Sequence, residues 1–474
     1  MPHTQPQDTE LESLKSIVGP RGWYMGKDTD RYLEDPRGRE RGSASIVLCP
    51  THTSQVSEIM KFCNASGIGV IPFGGGTGGA LGHMDPTGGG LVVLSLERMK
   101  KIRQISAEDN AIVAEAGVIL ADIQSASDGI DRFFGLSLAS EGSCTIGGNL
   151  ASNAGGIQAL RYGNTRDLCL GIEAVMPDGS ILNDLHPLRK DNTGYDLRHL
   201  LIGSEGTLGV ITAASLKLAA LPEESVTVMC AVESPRAALA LLQHLRRALG
   251  DVVSAFELMS ELGLNLALKH FPDLRDPFQE THAWYIIATI AGAKGTQDGL
   301  EASLAQAFEG ELVADGVVSS SNGQSASLWA LRERAFEYNK LEGVLYSSDT
   351  SVPLSRIGDF VDTTAARLGV LDPGLRANFY GHIGDGNIHV NVFPAEGVAK
   401  VNHIAKHPDA AANISHIIDE TTHLCGGSIS AEHGIGRAKN TTLKQYADPT
   451  KLAVMRMIKQ AVDSKNIMNP GALF

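Results

Sequence analysis

The sequence predicts an α+β protein built from a glycine-rich half and a separate α/β half. Its 474 residues are enough for two or three domains of ~150 residues, each with a sizeable core. Glycine accounts for 52 residues, well above the average share of about 7%, and aromatic residues for only 5%. The pattern of strands and helices also changes near Pro222. This composition indicates a compact enzyme with many special backbone positions.

Charge and cysteine content narrow the class of protein. Forty basic and 54 acidic residues give a net charge of −14, with no cluster of Lys or Arg, so we expect no nucleic-acid partner. The six cysteines form no CxxC pair, which is typical of reduced thiols in a cytoplasmic protein. No run of 18 apolar residues lacks a charge, so we expect neither secretion nor a membrane span, although peripheral attachment through a partner stays open.

The first half is predicted to alternate short strands with few helices. After a polar helix over Thr9–Val18, a β-α-β unit is predicted from strand Ser45–Cys49, helix Ser54–Ser66 and strand Val70–Phe73. Further strands are predicted at Leu91–Ser95, Ile102–Ile105, Ala111–Ala114, Gly171–Met176, Ile181–Leu182 and Gly206–Leu216. The turn-rich run Leu221–Glu224 is the predicted domain boundary.

The second half is predicted to be an α/β sandwich with longer elements. The predicted strands are Val226–Val232, Ala255–Leu258 and Ala283–Ile290, and the predicted helices are Pro235–Leu249 and Thr296–Phe308. A last helix over Pro449–Ser464 begins with proline and is followed by Asn469-Pro470-Gly471.

The loop GGGTGG at residues 74–79 imitates a dinucleotide-binding motif. It follows a strand and satisfies GxGxxG, with Glu97 near the place of a ribose-binding acid. A Rossmann unit needs a helix of about 10 residues at the last glycine, whereas Ala80–Gly90 contains Asp85-Pro86 and a glycine triplet. We therefore predict no helix there and interpret the loop as backbone N–H groups around a pyrophosphate, with a purely structural turn as the alternative.

A second glycine-rich tract, SEGSCTIGGNLASNAGG, spans residues 140–156, where small residues would allow a flat ring to lie against the main chain. The motifs PFGGGTGG, TIGGNLASNAGG, RYGNTRD, DNTGYDLRHLLIGSEGTLGVIT, GHIGDGNIHVN and SAEHGIG follow one another in this order. Over almost the whole chain they resemble the vanillyl-alcohol-oxidase flavoprotein superfamily. The resemblance is to the branch of the D-lactate and D-2-hydroxyglutarate dehydrogenases and the FAD subunit of glycolate oxidase.

The resemblance implies a two-subdomain FAD-binding domain and an α/β substrate (cap) domain. The expected boundaries are 1–221 for the FAD-binding domain, 222–425 for the cap and 426–474 for a segment that returns to the FAD-binding domain. Some members tether FAD through a histidine where this chain has Thr77, so we expect noncovalent FAD. The residues that the resemblance assigns to FAD are Pro72, Gly74, Gly75, Gly76, Thr77, Gly78, Ser140, Gly142, Thr145, Gly148, Asn149, Ser152, Gly206, Ile211 and Asn469.

The stretch Ala377–Val392 is predicted to be a β-hairpin that holds two histidines. A four-residue loop at Gly384–Asn387 would place His382 directly opposite His389, with Asn391 on the same face. Two imidazoles in this arrangement suit one cation, although a single histidine is more often structural.

A catalytic metal site needs a third protein ligand. The resemblance assigns that ligand to Glu432 and the catalytic base to His433. Two histidines and one carboxylate favour Zn²⁺, with Mn²⁺ or Fe²⁺ as alternatives.

The resemblance also implies how a 2-hydroxy acid is bound and selected. Arg332 corresponds to the substrate-binding arginine, with Asn391 beside the substrate; the alternative is a solvated helix arginine paired with Glu333 or Glu337. In the D-2-hydroxyglutarate dehydrogenases a Thr and a Lys hold the distal carboxylate, where this chain has Phe336 and Ser347. We therefore expect D-lactate or a larger apolar D-2-hydroxy acid to be favoured, with D-2-hydroxyglutarate as the alternative.

Three classes of function are consistent with parts of this sequence. They are an FAD-dependent D-2-hydroxyacid dehydrogenase, an NAD-linked Rossmann dehydrogenase, and a zinc hydrolase or metal-binding protein. The first accounts for both glycine tracts, and it implies an electron acceptor such as an electron-transfer flavoprotein, a quinone or a cytochrome. A homodimer is expected, and an FAD subunit of a glycolate-oxidase-like complex with an iron–sulfur partner is a further alternative.

Overall fold

The structure, a computed structural model, describes residues 4–474, which fold as two units. The first unit comprises the chain up to Gly155, Gly163–Leu221 and Glu432–Phe474, and the second comprises Gly156–Tyr162 and Pro222–Ala431. The C-terminal segment thus returns to the first unit from Glu432 onward, six residues after the predicted boundary at residue 426. The excursion of residues 156–162 into the second unit has no counterpart in the prediction.

The first sheet of the first unit contains the predicted β-α-β unit. Its four strands lie in the order Trp23–Tyr24, Ile46–Leu48, Val92–Ser95 and Val70–Phe73, the last three mutually parallel. Helix Thr53–Ser66 joins two of them and buries Val56, Ile59, Met60 and Cys63 on one face, a helical spacing. It ends at Gly67, whose φ of +70° breaks the helix.

The second sheet of the first unit is antiparallel. Its order is Ile102–Ser106, Ala111–Glu115, Val210–Lys217, Cys169–Val175 and Ile181–Asp184, and a small ribbon pairs Arg132–Phe133 with Ala219–Ala220. The strand predicted from Gly206 begins only at Val210, because Glu205 and Gly206 both have positive φ and form a turn. The helices of this unit other than Thr53–Ser66 are Asp8–Val18, Asp30–Leu33, Leu120–Asp128, Ile146–Ser152, Leu197–Leu201, Asn440–Tyr446 and Pro449–Val462, with a 3₁₀ turn at Gly26–Thr29.

The second unit is an eight-stranded sheet with helices on both faces. Both faces of strand Glu224–Val232 are apolar, because Val228 and Cys230 belong to one apolar cluster and Met229 and Ala231 to the other. Helices therefore cover both faces of the sheet. The strand order is Asp315–Val318, Glu224–Val232, Trp284–Gly292, Val253–Ser260, Arg376–Gly381, Asn387–Phe393 and Tyr346–Ser347, with Thr350–Ser351 also paired to Asn387–Phe393. The helices are Ala159–Tyr162, Pro235–Leu249, Glu261–His270, Thr296–Glu309, Asn322–Glu333, Ala335–Glu342, Ile357–Leu371, Lys400–Lys406 and Ala410–Leu424, with a 3₁₀ turn at Leu354–Arg356.

Two further sequence expectations concern membranes and thiols. Within residues 4–474, no helix is long and apolar enough to cross a membrane. All six cysteines are buried and none takes part in a disulfide.

Candidate active site

The glycine loops of the first unit approach one another at van der Waals distance. A Cβ added at Gly75 would lie 2.5 Å from the Ser143 carbonyl oxygen, and one added at Gly206 would lie 2.9 Å from Cγ of Pro72. A Cβ at Gly74 would lie 2.9 Å from Oγ1 of Thr145. Glycine is therefore required for the close approach, and three segments that are distant in sequence meet where strand Val70–Phe73 ends.

The segment after the first glycine loop excludes the Rossmann alternative. No helix forms between Gly79 and Leu91, where the described chain makes only turns. Glu97, which sits where a ribose-binding acid would in that fold, instead accepts a 2.8 Å bond from Arg31 and a 2.9 Å bond from the hydroxyl of Tyr32. The acid is thus bound by protein groups and the helix that would hold a dinucleotide is missing.

Polar groups beside the glycine loops fit a ligand such as FAD. Thr145 Oγ1 and Asn149 Oδ1 are buried and make no hydrogen bond within the described structure. Buried polar atoms are nearly always paired, so these two indicate a partner other than protein. A Cβ at Gly78 or Gly142 would meet no atom within 4 Å, which shows that space lies beside these backbone positions.

Other predicted FAD residues have protein partners. The Ser152 hydroxyl donates to the Gly148 carbonyl at 3.0 Å, inside its own helix. The side-chain amide of Asn469 donates to the carbonyls of Gly82 and Glu205 at 2.9 and 2.8 Å, and its oxygen accepts from Arg437 at 2.9 Å. Asn469 therefore ties the C-terminal segment to two loops of the first unit. Ile211 is buried within strand Val210–Lys217.

Two charged residues of the first unit escaped the sequence analysis. The carboxylate of Glu205 accepts backbone N–H bonds from Ile435 and Gly436 at 2.8 and 2.6 Å, and burial raises the pKa of this carboxyl group. Arg437 donates to the carbonyls of Leu81 and Pro470, and burial lowers the pKa of its guanidinium. Glu205 lies in the motif GSEGTLGVIT and Arg437 directly follows SAEHGIG, so their position relative to the motifs was the available signal.

The predicted histidine hairpin forms, but its register was wrong. Strand Arg376–Gly381 pairs with Asn387–Phe393 so that Tyr380, not His382, lies opposite His389. The loop runs from His382 to Gly386, because Gly381 and Gly386 adopt positive φ and the amide of Asn387 bonds back to the His382 carbonyl. His382 therefore lies at the start of the loop. The two imidazole centroids are nevertheless 5.8 Å apart.

The three predicted metal ligands come together. One ligand atom from each of His382, His389 and Glu432 lies within 4.8 Å of the other two. His382 Nδ1 bonds to Glu257 Oε1 at 2.6 Å, and His389 Nδ1 lies 3.3 Å from the Ser348 carbonyl oxygen. Because each Nδ1 faces an acceptor, Nε2 is the nitrogen that can bind a cation, the usual arrangement of metal-binding histidines.

Arg332 is not a solvated helix arginine. It lies in helix Asn322–Glu333 with 9% of its surface exposed, and its Nη2 pairs with Glu257 Oε2 at 2.9 Å. Its guanidinium also covers the Tyr380 ring at 4.6 Å. Burial lowers the pKa of the guanidinium, but Glu257 together with Tyr380 and Tyr338 more than offsets burial, and the pKa is raised from its ordinary value. The alternative pairing with Glu333 or Glu337 was wrong.

The remaining predicted substrate residues lie in different surroundings. Asn391 donates to the Tyr380 hydroxyl at 3.1 Å, and its Oδ1 is buried without a hydrogen bond in the described structure. Ser347 lies opposite Asn391 in the sheet and is exposed, and Phe336 is 55% exposed. His433 directly follows Glu432 at the start of the returning segment.

Glu257, which contacts both His382 and Arg332, was not singled out by the sequence analysis. It lies in strand Val253–Ser260, a run of otherwise uncharged residues that are all buried. A single acid in a buried strand is rare unless it is paired, and this signal could have found it.

Two family models match this chain. The family described as "FAD binding domain" covers residues 44–184, and "FAD linked oxidases, C-terminal domain" covers residues 221–473. Together with the glycine loops, these matches define the protein as an FAD-dependent dehydrogenase.

The curated relatives agree with this class, and a solved structure shares the fold. "D-2-hydroxyglutarate dehydrogenase, mitochondrial" of Arabidopsis thaliana is 36% identical over 469 residues, 97% of this chain and 80% of that protein. "D-2-hydroxyglutarate dehydrogenase" of Xanthomonas citri pv. viticola is 34% identical over 448 residues, 94% and 93%. p-Cresol methylhydroxylase superimposes with a TM-score of 0.75 at 17% identity, over 98% of this chain and 97% of that chain, which shows the fold alone.

The chain therefore belongs to the FAD-linked oxidase family, in the branch of the D-2-hydroxyglutarate dehydrogenases. The predicted FAD-linked family, with its D-2-hydroxyglutarate dehydrogenase branch, and the predicted fold class are confirmed.

Proposed function

We propose that this protein oxidises a D-2-hydroxy acid to the 2-oxo acid, with noncovalent FAD and a divalent metal on His382, His389 and Glu432. The observation that carries the proposal is the convergence of these three ligand atoms within 4.8 Å, with both imidazoles oriented through Nδ1. The names of the relatives support the substrate class. A zinc hydrolase would leave the glycine loops of the first unit without a purpose.

Each residue has a distinct part in this proposal. Bound FAD would supply the hydride acceptor, N5, and the glycine loops with Thr145 and Asn149 would hold it. The metal, when bound, would polarise the substrate hydroxyl as a Lewis acid. Arg332 would take the C1 carboxylate through donors other than the Nη2 that binds Glu257, and its buried Nε has no hydrogen bond in the described structure. His433 would accept the hydroxyl proton near neutral pH.

Substrate selectivity is proposed from two positions of the second unit. Phe336 and Ser347 are exposed in the structure, so water would be excluded from this region only by a bound substrate. A distal carboxylate held there would need a cation, and neither residue supplies one. Arg334, a nearby alternative, is engaged by Asp273 through bonds of 2.9 and 2.7 Å. We therefore propose a preference for D-lactate or a larger apolar D-2-hydroxy acid, with D-2-hydroxyglutarate, named for the relatives, as the alternative.

Several finer points remain predictions. They are the identity of the metal as Zn²⁺, Mn²⁺ or Fe²⁺, the electron acceptor, a homodimer, a cytoplasmic location and the exact FAD contacts. The glycolate-oxidase-like alternative is distinguished by activity without an added iron–sulfur partner.

Noncovalent FAD is tested by acid precipitation of the purified protein. Because Thr77 stands where a tethering histidine would be, all yellow colour is expected in the supernatant. Its absorbance spectrum should match that of free FAD, and the pellet should be colourless. A pellet that stays yellow after denaturation would refute the noncovalent attachment.

Alanine substitutions at Gly75 and Gly78 distinguish a glycine that the fold requires from a glycine that only FAD binding requires. Gly75→Ala would drive a Cβ to 2.5 Å from the Ser143 carbonyl, so we expect lower thermal stability and loss of FAD. Gly78→Ala meets no protein atom within 4 Å, so the apoprotein should keep its stability while FAD affinity falls at least tenfold. Isothermal titration measures the affinity for FAD, and thermal unfolding measures the stability of each variant. Unchanged FAD affinity in Gly78→Ala would show that Gly78 is not part of the FAD site.

Removal of the metal should stop turnover and leave FAD bound, because the ligands are separate from the glycine loops in sequence. A chelator, His382→Ala and His389→Ala should each lower kcat/KM by at least 10²-fold while the flavin absorbance is unchanged. The matched control is His403→Ala, another buried histidine of the second unit. If a hairpin variant lost its metal yet kept near-normal kcat/KM, the metal would be structural or adventitious.

The proposed selectivity is tested with D-lactate, an apolar D-2-hydroxy acid and D-2-hydroxyglutarate, using an artificial electron acceptor. We expect a higher kcat/KM for the monocarboxylates, and Ser347→Lys should narrow the gap by supplying a cation. Ser327→Lys, at an exposed helix position, controls for added charge. A tenfold preference of the unaltered protein for D-2-hydroxyglutarate, about 1.4 kcal/mol, would contradict the proposal.

A further inference from the structure

Glu257 occupies the least exposed charged position of the second unit that the proposed mechanism leaves without a role. Its strand, Val253–Ser260, lies inside the sheet between Trp284–Gly292 and Arg376–Gly381. The residue is 1% exposed. An ionised carboxylate in such a place is strongly destabilising unless charged or hydrogen-bonding partners surround it. Its partners therefore reveal why it is there.

The two oxygens of Glu257 bind two different functional groups. Oε1 lies 2.6 Å from His382 Nδ1, and Oε2 lies 2.9 Å from Arg332 Nη2. The Arg332 guanidinium in turn covers the ring of Tyr380, which lies opposite His389 in the hairpin and 5.2 Å from its imidazole. One carboxylate thus contacts a metal-binding histidine and the arginine assigned to the substrate.

From this arrangement we infer that Glu257 is a positioning residue that sets the metal-binding orientation of His382 and the position of Arg332 together. The inference rests on the proposed function, since it presumes a metal at His382. A carboxylate that accepts from Nδ1–H fixes the imidazole with Nε2 toward the metal and makes that nitrogen more basic. The same charge holds the buried guanidinium, which would otherwise lie unpaired.

A purely structural ion pair is the competing explanation, and the second unit contains one for comparison. Glu342 has a side chain that is 7% exposed and pairs with Lys269, His270 and Arg376. None of these partners belongs to the proposed site. If buried carboxylates of this unit serve stability alone, loss of the charge at Glu257 and at Glu342 should have the same consequences.

Zinc affinity distinguishes the two explanations. The FAD-loaded protein is stripped of metal and titrated with Zn²⁺ in competition with a chromogenic chelator, so the measurement does not depend on turnover. Glu257→Gln keeps the shape and removes the charge, and we expect its Kd for Zn²⁺ to rise about 10- to 100-fold. Glu257→Asp, which keeps the charge, should recover part of the affinity. Glu342→Gln should bind Zn²⁺ within twofold of the unaltered protein.

Substrate kinetics provide the second readout. With Zn²⁺ at saturation, Glu257→Gln should still show a raised KM, because Arg332 has lost its anchor, whereas Glu342→Gln should not. Thermal unfolding and FAD content report whether each variant is folded. Should Glu257→Gln fail to fold, Glu257→Asp carries the test, since its shorter side chain cannot reach both partners at the original distances.

The outcomes separate this inference from the proposed function. Zinc affinity and KM that are unchanged in folded Glu257→Gln would overturn the positioning role while leaving the proposed metal site intact. An unaltered protein that binds no Zn²⁺, Mn²⁺ or Fe²⁺ would overturn the metal site and the positioning role with it. Equal losses in Glu257→Gln and Glu342→Gln would mean that both residues only stabilise the fold.

Discussion

The backbone of Gly75 lies against the backbone of Ser143 and Cys144 with no room for a side chain. This contact fixes the end of strand Val70–Phe73 against the start of helix Ile146–Ser152, and it leaves the polar groups of Thr145 and Asn149 buried beside exposed backbone. Buried polar groups without hydrogen bonds lower the stability of the fold, unless a ligand completes those bonds. The unusual glycine content of the chain is thus explained by contact between loops as much as by contact with a cofactor.

The buried carboxylate of Glu205 holds the C-terminal segment against the rest of the first unit. Its side chain accepts hydrogen bonds from the backbone amides of residues 435 and 436, and the side-chain amide of Asn469 donates to the backbone carbonyl of the same Glu205. The returning segment is therefore held by the loop that also presses Gly206 against Pro72. A chain cut before Glu432 would leave the Glu205 carboxylate without these donors, so the first unit depends on residues that are more than two hundred positions away in sequence.

The sequence predicted most elements of regular structure because their apolar spacing is strong. Helix Pro235–Leu249 and strand Val70–Phe73 begin and end where expected. The register of the hairpin was not predictable. The sequence analysis assumed a four-residue loop with both strands continuing up to it, whereas Gly381 and Gly386 adopt positive φ, which lengthens the loop and places His382 outside the strand. A single acid in an apolar strand marked Glu257 as a paired residue, but its partners, His382 and Arg332, lie 125 and 75 positions away, so the sequence could not say what it pairs with.

The pairing of Arg332 with Glu257 changes how an anionic substrate would be attracted. An arginine whose charge is already balanced by a buried carboxylate adds direction and hydrogen bonds but little net positive potential. In a chain of net charge −14, a divalent cation on the hairpin would add positive charge that the histidines do not supply, since His382 and His389 bind a metal only when neutral. On this argument a bound metal, rather than the arginine, would make the site attractive to a carboxylate, and Arg332 would orient the carboxylate that the metal holds.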